Sequence, residues 1–215
     1  MRRPWHGAMP VSVTLPLGLE RRLPARQRRL RRFAVGVLIA LGVALLAMGF
    51  FLPAKAELAQ QLLNRAWDRT TEGDAAAKPW PWADTHPVAR LRLPGGTEPL
   101  TVLAGASGRN LAFAPTLMDG SATPGAPGVS VIAGHRDTHF RSLAALRVGD
   151  DLVLERPDGA TFVYEVEDLD VVDSSRAELR LDSDESVVVL VTCWPFDAIT
   201  AGGNWRYLVT ARLRF

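Results

Sequence analysis

Three residues at the ends of predicted strands could together perform nucleophilic catalysis: Cys193, His135 and Arg206. Cys193 is the single cysteine among 215 residues, and it ends the apolar run "VVVLVTC" before Trp194 and Pro195 turn the chain away. A free thiol has a pKa of about 8.5, so a catalytic cysteine needs a nearby base or positive charge to form its thiolate. An imidazole and a guanidinium at neighbouring strand ends would supply both.

His135 and Arg206 occupy the same kind of position as the cysteine. His135 follows the buried-looking run "GVSVIA" and a glycine, while Arg206 opens the last predicted strand after the flexible segment "AGGN". Each residue alone has an ordinary explanation, because a lone cysteine is usually a small buried hydrophobe and a charged strand end is usually solvated. The order of the three strand ends is more informative than any one of them.

The elements that must position these residues are short β-strands. From Val88 onward, apolar or alternating runs of strand length are separated by Gly, Pro, Asp and Asn. Asp158-Gly159 predicts a hairpin turn between two of them. The runs are "ARLRLP", "LTVLAG", "GVSVIAGH", "DDLVLERPDGATFVYEVEDLDVVD", "VVVLVTC" and "WRYLVTARLRF". This pattern predicts one all-β domain, a barrel or a sandwich, over residues 88–215.

An uncharged apolar run, residues 33–52, precedes this domain. At about 1.5 Å per helical residue it covers the roughly 30 Å hydrocarbon core of a bilayer. Seven arginines between positions 21 and 32 place residues 1–32 in the cytoplasm as a basic tail and the later domain outside. A cleaved signal peptide is the alternative, since Ala54-Lys55-Ala56 resembles a cleavage site, but the run exceeds the usual length of about 7 to 15 residues. We therefore predict a single-pass anchor.

Residues 53–87 are predicted to be a helix followed by a Pro- and Trp-rich linker. The segment "AELAQQLLNRAWDRT" places Leu58, Leu62, Leu63, Ala66 and Trp67 at helical spacing, as an amphipathic helix or as an extension of the spanning helix. In the linker "PWPW" we expect both tryptophans to cover the edge of a core, in preference to contacting substrate or membrane.

The composition argues against a nucleic-acid-binding protein and against a disulfide-stabilised scaffold. The 25 basic and 23 acidic residues nearly balance, and the basic excess lies in the N-terminal arginine cluster, so a nucleic-acid partner is not expected. A single cysteine cannot form an intramolecular disulfide, which excludes a disulfide-stapled scaffold.

The quoted segments resemble the signature strands of the sortases, which are membrane-anchored cysteine transpeptidases. The run "VLVTC" resembles the sortase motif T-L-x-T-C, with valine at the first threonine, and "CWPFDAITAGGNWRY" is similar to the class GN sortases of Gram-negative proteobacteria. The resemblance covers roughly residues 87–215. It implies a closed eight-stranded β-barrel with short helices, held outside the inner membrane by the N-terminal helix.

The same resemblance implies a role for each residue. Cys193 would attack the Thr-Gly bond of an LPxTG-like sorting signal on a protein substrate, and His135 would serve as acid and then base. Arg206 would hydrogen-bond the substrate or its developing oxyanion, with Thr192 and Asp137 as candidate supporting residues. The amine acceptor is not encoded, and we expect no metal or cofactor.

Two other readings stay open at this point. His135, His139 and Cys193 are zinc-ligand types, although H-x-x-x-H shares one face only on a helix and a strand precedes it. A non-catalytic periplasmic β-domain would use Cys193 for packing. A cell-wall L,D-transpeptidase is excluded because Thr192 precedes the cysteine. The acidic segment "DSDES", residues 182–186, predicts a solvated turn in preference to a calcium site.

Overall fold

The computed structural model describes residues 24–96, 98–200 and 202–214. Most of the predicted cytoplasmic tail, residues 1–23, therefore lies outside the described residues. The chain divides into two compact units, Met1–Phe51 and Leu52–Phe215. All the candidate site residues belong to the second unit.

The first helix, α1, spans Ala25–Thr71 and includes Pro53. It contains an 18-residue window of mean hydropathy 2.7, none of which is buried, and Phe33 and Phe50 are about three-quarters exposed. Among the described residues this helix alone is long and apolar enough to cross a membrane. Residues 56–70 are helical and belong to α1, as both alternatives predict.

The last turns of α1 bury a narrow stripe in the second unit. The stripe recurs once per helical turn and consists of Ala59, Leu63, the adjacent pair Ala66 and Trp67, and Thr70. The Arg90 guanidinium lies 5.0 Å from the centre of the Trp67 ring and also donates to Asn64. The expectation that Leu58 belongs to the apolar face is wrong, because Leu58 is 54% exposed and Ala59 takes the buried place.

The two linker tryptophans differ in their surroundings. Trp80 packs edge-on against Phe113, with ring centroids 4.8 Å apart, as expected of a residue that covers a core edge. Trp82 is 80% exposed, so the same expectation is wrong for Trp82. The two tryptophans thus differ because Trp80 packs against an aromatic ring, whereas Trp82 is left exposed.

Eight strands close into a barrel. The strands are β1 (Pro87–Arg92), β2 (Leu100–Ala104), β3 (Thr116–Leu117), β4 (Gly128–Ala133), β5 (Asp151–Glu155), β6 (Thr161–Asp173), β7 (Ser186–Cys193) and β8 (Trp205–Leu213). Their order around the barrel is β1-β2-β3-β4-β7-β8-β6-β5. The pairs β2–β3 and β4–β7 are parallel, and the other neighbours are antiparallel. The predicted closed eight-stranded barrel is confirmed.

Two short helices complete the domain: α2 (Gly108–Leu111), and a 3₁₀ helix at Arg141–Ala145. The predicted hairpin joins β5 to β6, where Gly159 has a φ of +83° and the Ala160 N–H donates to the Asp158 carboxylate. The two-residue strand β3 is absent from the sequence prediction, because two residues are too few to show an alternating pattern.

Alternation along the central strands separates two apolar clusters. One fills the barrel interior and includes Ile132, Leu190 and Val209. The other lies on the opposite face of the same strands: Val129, Val131 and Val189 are buried, with Val187, Val191 and Leu208 packed against them. We call this second set the outer valine cluster. Because β4 and β7 are apolar on both faces, their sequences read as continuous apolar runs.

Candidate active site

The three predicted catalytic residues meet at one end of three adjacent strands. Cys193 ends β7 and is the direct Cα partner of Arg206 on β8. On the other side of β7, the Gly134 N–H donates to the Val191 carbonyl at 3.0 Å, which continues the β4–β7 ladder past the end of β4. The same register, extended two residues past Ala133 and Val191, would pair His135 with Cys193. The structure therefore places Cys193 at the end of the middle strand of three, with Arg206 opposite it on β8 and His135 two residues past the end of β4.

Side-chain alternation places the thiol on the outer face of the barrel. Val191 belongs to the outer valine cluster, and Cys193 lies two residues later on the same strand. Arg206 likewise lies two residues before Leu208, another member of that cluster. Residues two apart on a strand share a face. The thiol and the guanidinium thus stand at the end of an apolar surface outside the barrel.

The pairing of Cys193 with Arg206 also indicates how close their side chains are. The Trp194 N–H donates to the Trp205 carbonyl at 3.1 Å, so the neighbouring pair Cys193–Arg206 is not bonded through its own backbone. Such antiparallel pairs have Cβ atoms roughly 4.5–5.5 Å apart. Cys193 is partly exposed, which disfavours the reading in which it only packs in the core.

Packing fixes the loop of residues 134–140, the His135 loop. A Cβ atom on Gly134 would lie 2.6 Å from the ring of Phe140, so glycine is required there by the buried ring. The Phe140 N–H donates to the His135 carbonyl at 3.1 Å. The His135 side chain is exposed, although its backbone is held.

Thr192, a predicted supporting residue, connects β7 to the His135 loop. Its side chain is almost fully buried, and its hydroxyl donates to the Gly134 carbonyl at 2.8 Å. The bond joins the residue before the thiol to the residue before the imidazole. Thr192 is therefore placed to keep the ends of β4 and β7 in register.

Arg136 is the main site residue that the sequence prediction omitted. Its side chain is only 3% exposed, and it donates to the carbonyls of Pro195 at 2.6 Å and Ala198 at 3.0 Å. Asp137, the other predicted supporting residue, is 64% exposed and accepts two hydrogen bonds from Arg136. The hydrogen bond from Arg136, followed by nearby positive charge, lowers the pKa of Asp137.

Arg206 lies at the far end of the β7–β8 loop, residues 194–204. Its Nη1 donates to the carbonyls of Gly203 at 2.8 Å and Trp205 at 2.9 Å. Both hydrogen bonds that it makes within the described residues run through this one nitrogen. A guanidinium carries five N–H donors, so Nε and Nη2 retain donors for a substrate.

Three half-buried aromatic rings pack together at this end of β7 and β8, and two of them, Phe196 and Tyr207, pack against the interior cluster. Trp194 stacks on Tyr207 with centroids 5.7 Å apart, and Phe196 meets both rings edge-on at 5.6 and 5.1 Å. Burial raises the pKa of the Tyr207 hydroxyl. The cluster holds the first residues of the β7–β8 loop against β8.

The described part of the chain has no cluster of three or more His, Cys, Asp or Glu side chains that could hold a metal ion. His139 is half-buried, and its pKa is lowered, first by burial and then by the charge of His135. Asp182, Asp184 and Glu185 of the acidic segment are exposed, and Glu185 pairs with Arg212. The zinc reading therefore gains no support.

Comparison with known proteins identifies the family. The sortase domain model matches residues 91–214, which is more than half of the chain and includes all five predicted site residues. The chain belongs to the sortase family, whose members are transpeptidases. A relative, Sortase D of Bacillus subtilis (strain 168), is 33% identical over 87 residues, or 40% of this chain. That match spans 43% of the relative's length.

Solved sortase structures share the fold. The Sortase D5 transpeptidase of Clostridium perfringens is 24% identical, with a TM-score of 0.55 over 71% of this chain and 89% of its own. Sortase A from Corynebacterium diphtheriae is 22% identical, with a TM-score of 0.55 over 73% and 84%. Sortase C-1 from Actinomyces oris is 27% identical, with a TM-score of 0.53 over 71% and 97%.

Proposed function

We propose that this protein is a membrane-anchored sortase that cleaves an LPxTG-like sorting signal at its Thr-Gly bond and transfers the acyl group to an amine. The observation that supports the proposal is the pairing of Cys193 with Arg206 across β7 and β8, with His135 two residues past the end of the neighbouring strand β4. All three lie in the segment that matches the sortase domain. The roles that follow are those this geometry supports best.

The first half-reaction forms a thioester. The Cys193 thiolate attacks the threonine carbonyl carbon, and the carbonyl oxygen gains the negative charge of a tetrahedral intermediate. Arg206 donates to that oxygen or to the substrate backbone, since its Nε and Nη2 face no other described partner. As the C–N bond breaks, protonated His135 gives its proton to the leaving glycine amine.

The second half-reaction releases the acyl group. Neutral His135 removes a proton from the incoming amine, which attacks the thioester carbonyl. The C–S bond breaks, and Cys193 leaves as the thiolate with which the cycle began. The residue that acts as an acid in one half-reaction thus acts as a base in the other.

The outer valine cluster supplies a surface for the substrate. Val191 and Leu208 are partly exposed and lie two residues from Cys193 and Arg206 on the same face. An extended peptide laid along this face would bring apolar side chains into contact with them. An apolar Leu-Pro segment before the scissile bond fits that surface.

We place the domain outside the inner membrane, in the periplasm. The exposed apolar turns of α1, preceded by the arginine cluster, support a single-pass anchor with a cytoplasmic N-terminus. Protease added to spheroplasts should digest residues beyond Lys55. Protection of those residues would contradict this topology.

We also assign the chain to the class GN sortases. The support is the segment "CWPFDAITAGGNWRY", which covers the thiol, the β7–β8 loop and Arg206. A substrate gene beside the sortase gene should then encode an LPxTG-like motif, an apolar stretch and basic residues at its C-terminus. A genome neighbourhood without such a gene would leave the peptide assay below to identify the signal.

The decisive experiment is mass spectrometry of the detergent-solubilised protein incubated with sorting-signal peptides. Wild-type protein should gain a mass equal to the acyl fragment on Cys193, and Cys193→Ala should gain none. Hydroxylamine, an added amine nucleophile, should remove the adduct. If folded wild-type protein forms no adduct with any LPxTG-like peptide and does not process its natural partner, the proposal is wrong.

A further inference from the structure

Arg136 is a buried cation between the two loops that flank the thiol. It follows His135 directly in the His135 loop, and its carbonyl partners lie in the β7–β8 loop. Arginine is rarely buried to 3% exposure unless its charge is paired. Its charge is paired with the adjacent Asp137, and its hydrogen bonds to the two carbonyls join segments about 60 residues apart in sequence, so these are tertiary contacts.

The hydrogen bonds of Arg136 depend on the planar, forked shape of its guanidinium group. Nε and Nη2 bind the two oxygens of Asp137 at 2.8 and 3.1 Å, which sets the plane of the group. In that plane Nη1 reaches the Pro195 carbonyl and Nη2 reaches the Ala198 carbonyl. A lysine ammonium has the same charge but is a single point with three donors, so it cannot reproduce this fork.

We propose that Arg136 is a positioning residue that fixes the β7–β8 loop, and with it the Cys193 end of β7, against the His135 loop. Because it acts through Cys193 and His135, its importance for catalysis rests on the proposed function. Attack on a bound carbonyl requires near-contact geometry, and a displacement of about 1 Å can slow such a step about 10²-fold. The two clamped carbonyls lie two and five residues after the thiol.

Electrostatics agrees with this placement. The pKa of Arg136 is raised, first by its hydrogen bond with Asp137 and then, against the effect of burial, by the charges of Asp137, Cys193 and Asp197. A negative thiolate at Cys193 thus interacts favourably with the guanidinium. Arg136→Lys keeps the charge and loses the fork, so this variant separates positioning from charge.

The chain supplies a matched control at the β5–β6 hairpin. Arg156 also binds an aspartate two positions away through Nε and Nη2, and its Nη1 donates to the carbonyl of Pro124 at 3.4 Å. This pair joins a hairpin to a loop in the same manner but is distant in sequence from the three catalytic residues. Arg156→Lys therefore shows whether the loss of such a fork far from the thiol in sequence changes acylation or exchange in residues 196–200.

The experiment compares full-length wild-type protein with Arg136→Lys, Asp137→Asn and Arg156→Lys. One measurement is the rate of Cys193 acylation at saturating sorting-signal peptide, together with the KM. The other is amide hydrogen exchange in residues 196–200, which needs no activity. Arg136→Lys should slow acylation about 10²-fold with little change in KM and should speed exchange in that segment.

Asp137→Asn should show the same two changes more weakly, about threefold to tenfold in rate, because the carbonyl contacts remain. Arg156→Lys should leave both measurements at wild-type values. Wild-type acylation by folded Arg136→Lys, or slow acylation with unchanged exchange, overturns the proposal. If Arg136→Lys does not fold, unchanged exchange in Asp137→Asn overturns it.

Failure of the proposed function has a different signature. In that case wild-type protein itself forms no adduct, whatever the exchange data show. The exchange measurement then decides by itself whether Arg136 holds the loop: faster exchange in Arg136→Lys supports the clamp, and unchanged exchange rejects it.

Discussion

The His135 loop and the β7–β8 loop present opposite solutions to holding a reactive group at a barrel rim. The His135 loop is fixed from below, by a glycine against the buried ring of Phe140 and by the Thr192 hydroxyl. The β7–β8 loop has fully exposed Ile199 and two glycines with positive φ, Gly202 and Gly203. Its contacts among the described residues include the Arg136 clamp, the aromatic cluster, the Arg206 hydrogen bonds and two hydrogen bonds from Ser174 to the Asn204 carbonyl.

This difference indicates a division of labour. In the proposed mechanism His135 transfers a proton twice per cycle and must return to the same position, which favours a loop fixed by core packing. A loop that admits a peptide must leave surface free, so it is fixed at a few points by hydrogen bonds. Substitutions in the first loop should therefore act on folding and activity together, whereas those in the second should act mainly on activity.

Among the variants that test this comparison, Arg206→Ala gives the largest expected effect, and it tests the second half. Acylation of Cys193 should slow by roughly 10² to 10³, because the developing oxyanion loses a hydrogen-bond donor. The melting temperature should stay near that of the wild type, since Arg206 is only half-buried and binds only the nearby carbonyls of Gly203 and Trp205 among the described residues. Stopped-flow acylation and thermal unfolding measure the two quantities. A large loss of stability would contradict the comparison.

Gly134→Ala tests the first half. The added Cβ would overlap the Phe140 ring, so the loop or the ring must shift, at a cost of about 1–3 kcal/mol in the free energy of unfolding. Activity should fall as well, because His135 moves with the loop. Gly149→Ala is the control at an exposed glycine. Its φ is +91°, and apart from its chain neighbours no atom lies within 4 Å of the position that an added Cβ would take. This variant therefore introduces backbone strain without steric overlap. Urea unfolding measures the free energy of unfolding of both variants, and a parallel assay measures the rate of Cys193 acylation.

His139, which lies in the His135 loop, should make the free energy of unfolding of the protein depend on pH. Its pKa is lowered in the folded protein, chiefly by burial. Below about pH 6.5, therefore, His139 binds a proton more readily in the unfolded chain than in the folded chain. The free energy of unfolding should therefore fall as pH falls through and below that value. His139→Gln should lose this part of the pH dependence. Urea titrations of both proteins at pH 7.5, 6.0 and 5.0 test the prediction, and parallel curves would contradict it.

Ile199→Ser gives the smallest expected effect. Ile199 is fully exposed in the β7–β8 loop, and surface substitutions of this kind usually change stability by less than about 0.5 kcal/mol. A melting temperature within a degree or two of wild type is expected, and the KM for the peptide reports whether the side chain meets the substrate. A marked loss of stability would show that this loop is packed as firmly as the other.

Much of the fold followed from local pattern. The β5–β6 hairpin was predicted from Asp158-Gly159, and the closed barrel from the resemblance together with the apolar runs. The two-residue strand β3 was missed because it exists only through its pairing with β2 and β4. The exposure of Trp82 was missed because its sequence context is nearly the same as that of Trp80.

By itself, the sequence determined the types and the order of the reactive residues, since strand periodicity already places Cys193 and His135 at strand ends. Periodicity is local and can be read from consecutive residues. Only the tertiary structure decided which strands are neighbours, and thus that Arg206 lies opposite Cys193 across β7 and β8. It also decided that Arg136 is buried and donates to two carbonyls about 60 residues away in sequence. From the sequence alone, Arg136 and Asp137 look like an ordinary surface ion pair. Burial depends on what the rest of the chain brings to a residue, and no local pattern contains that information.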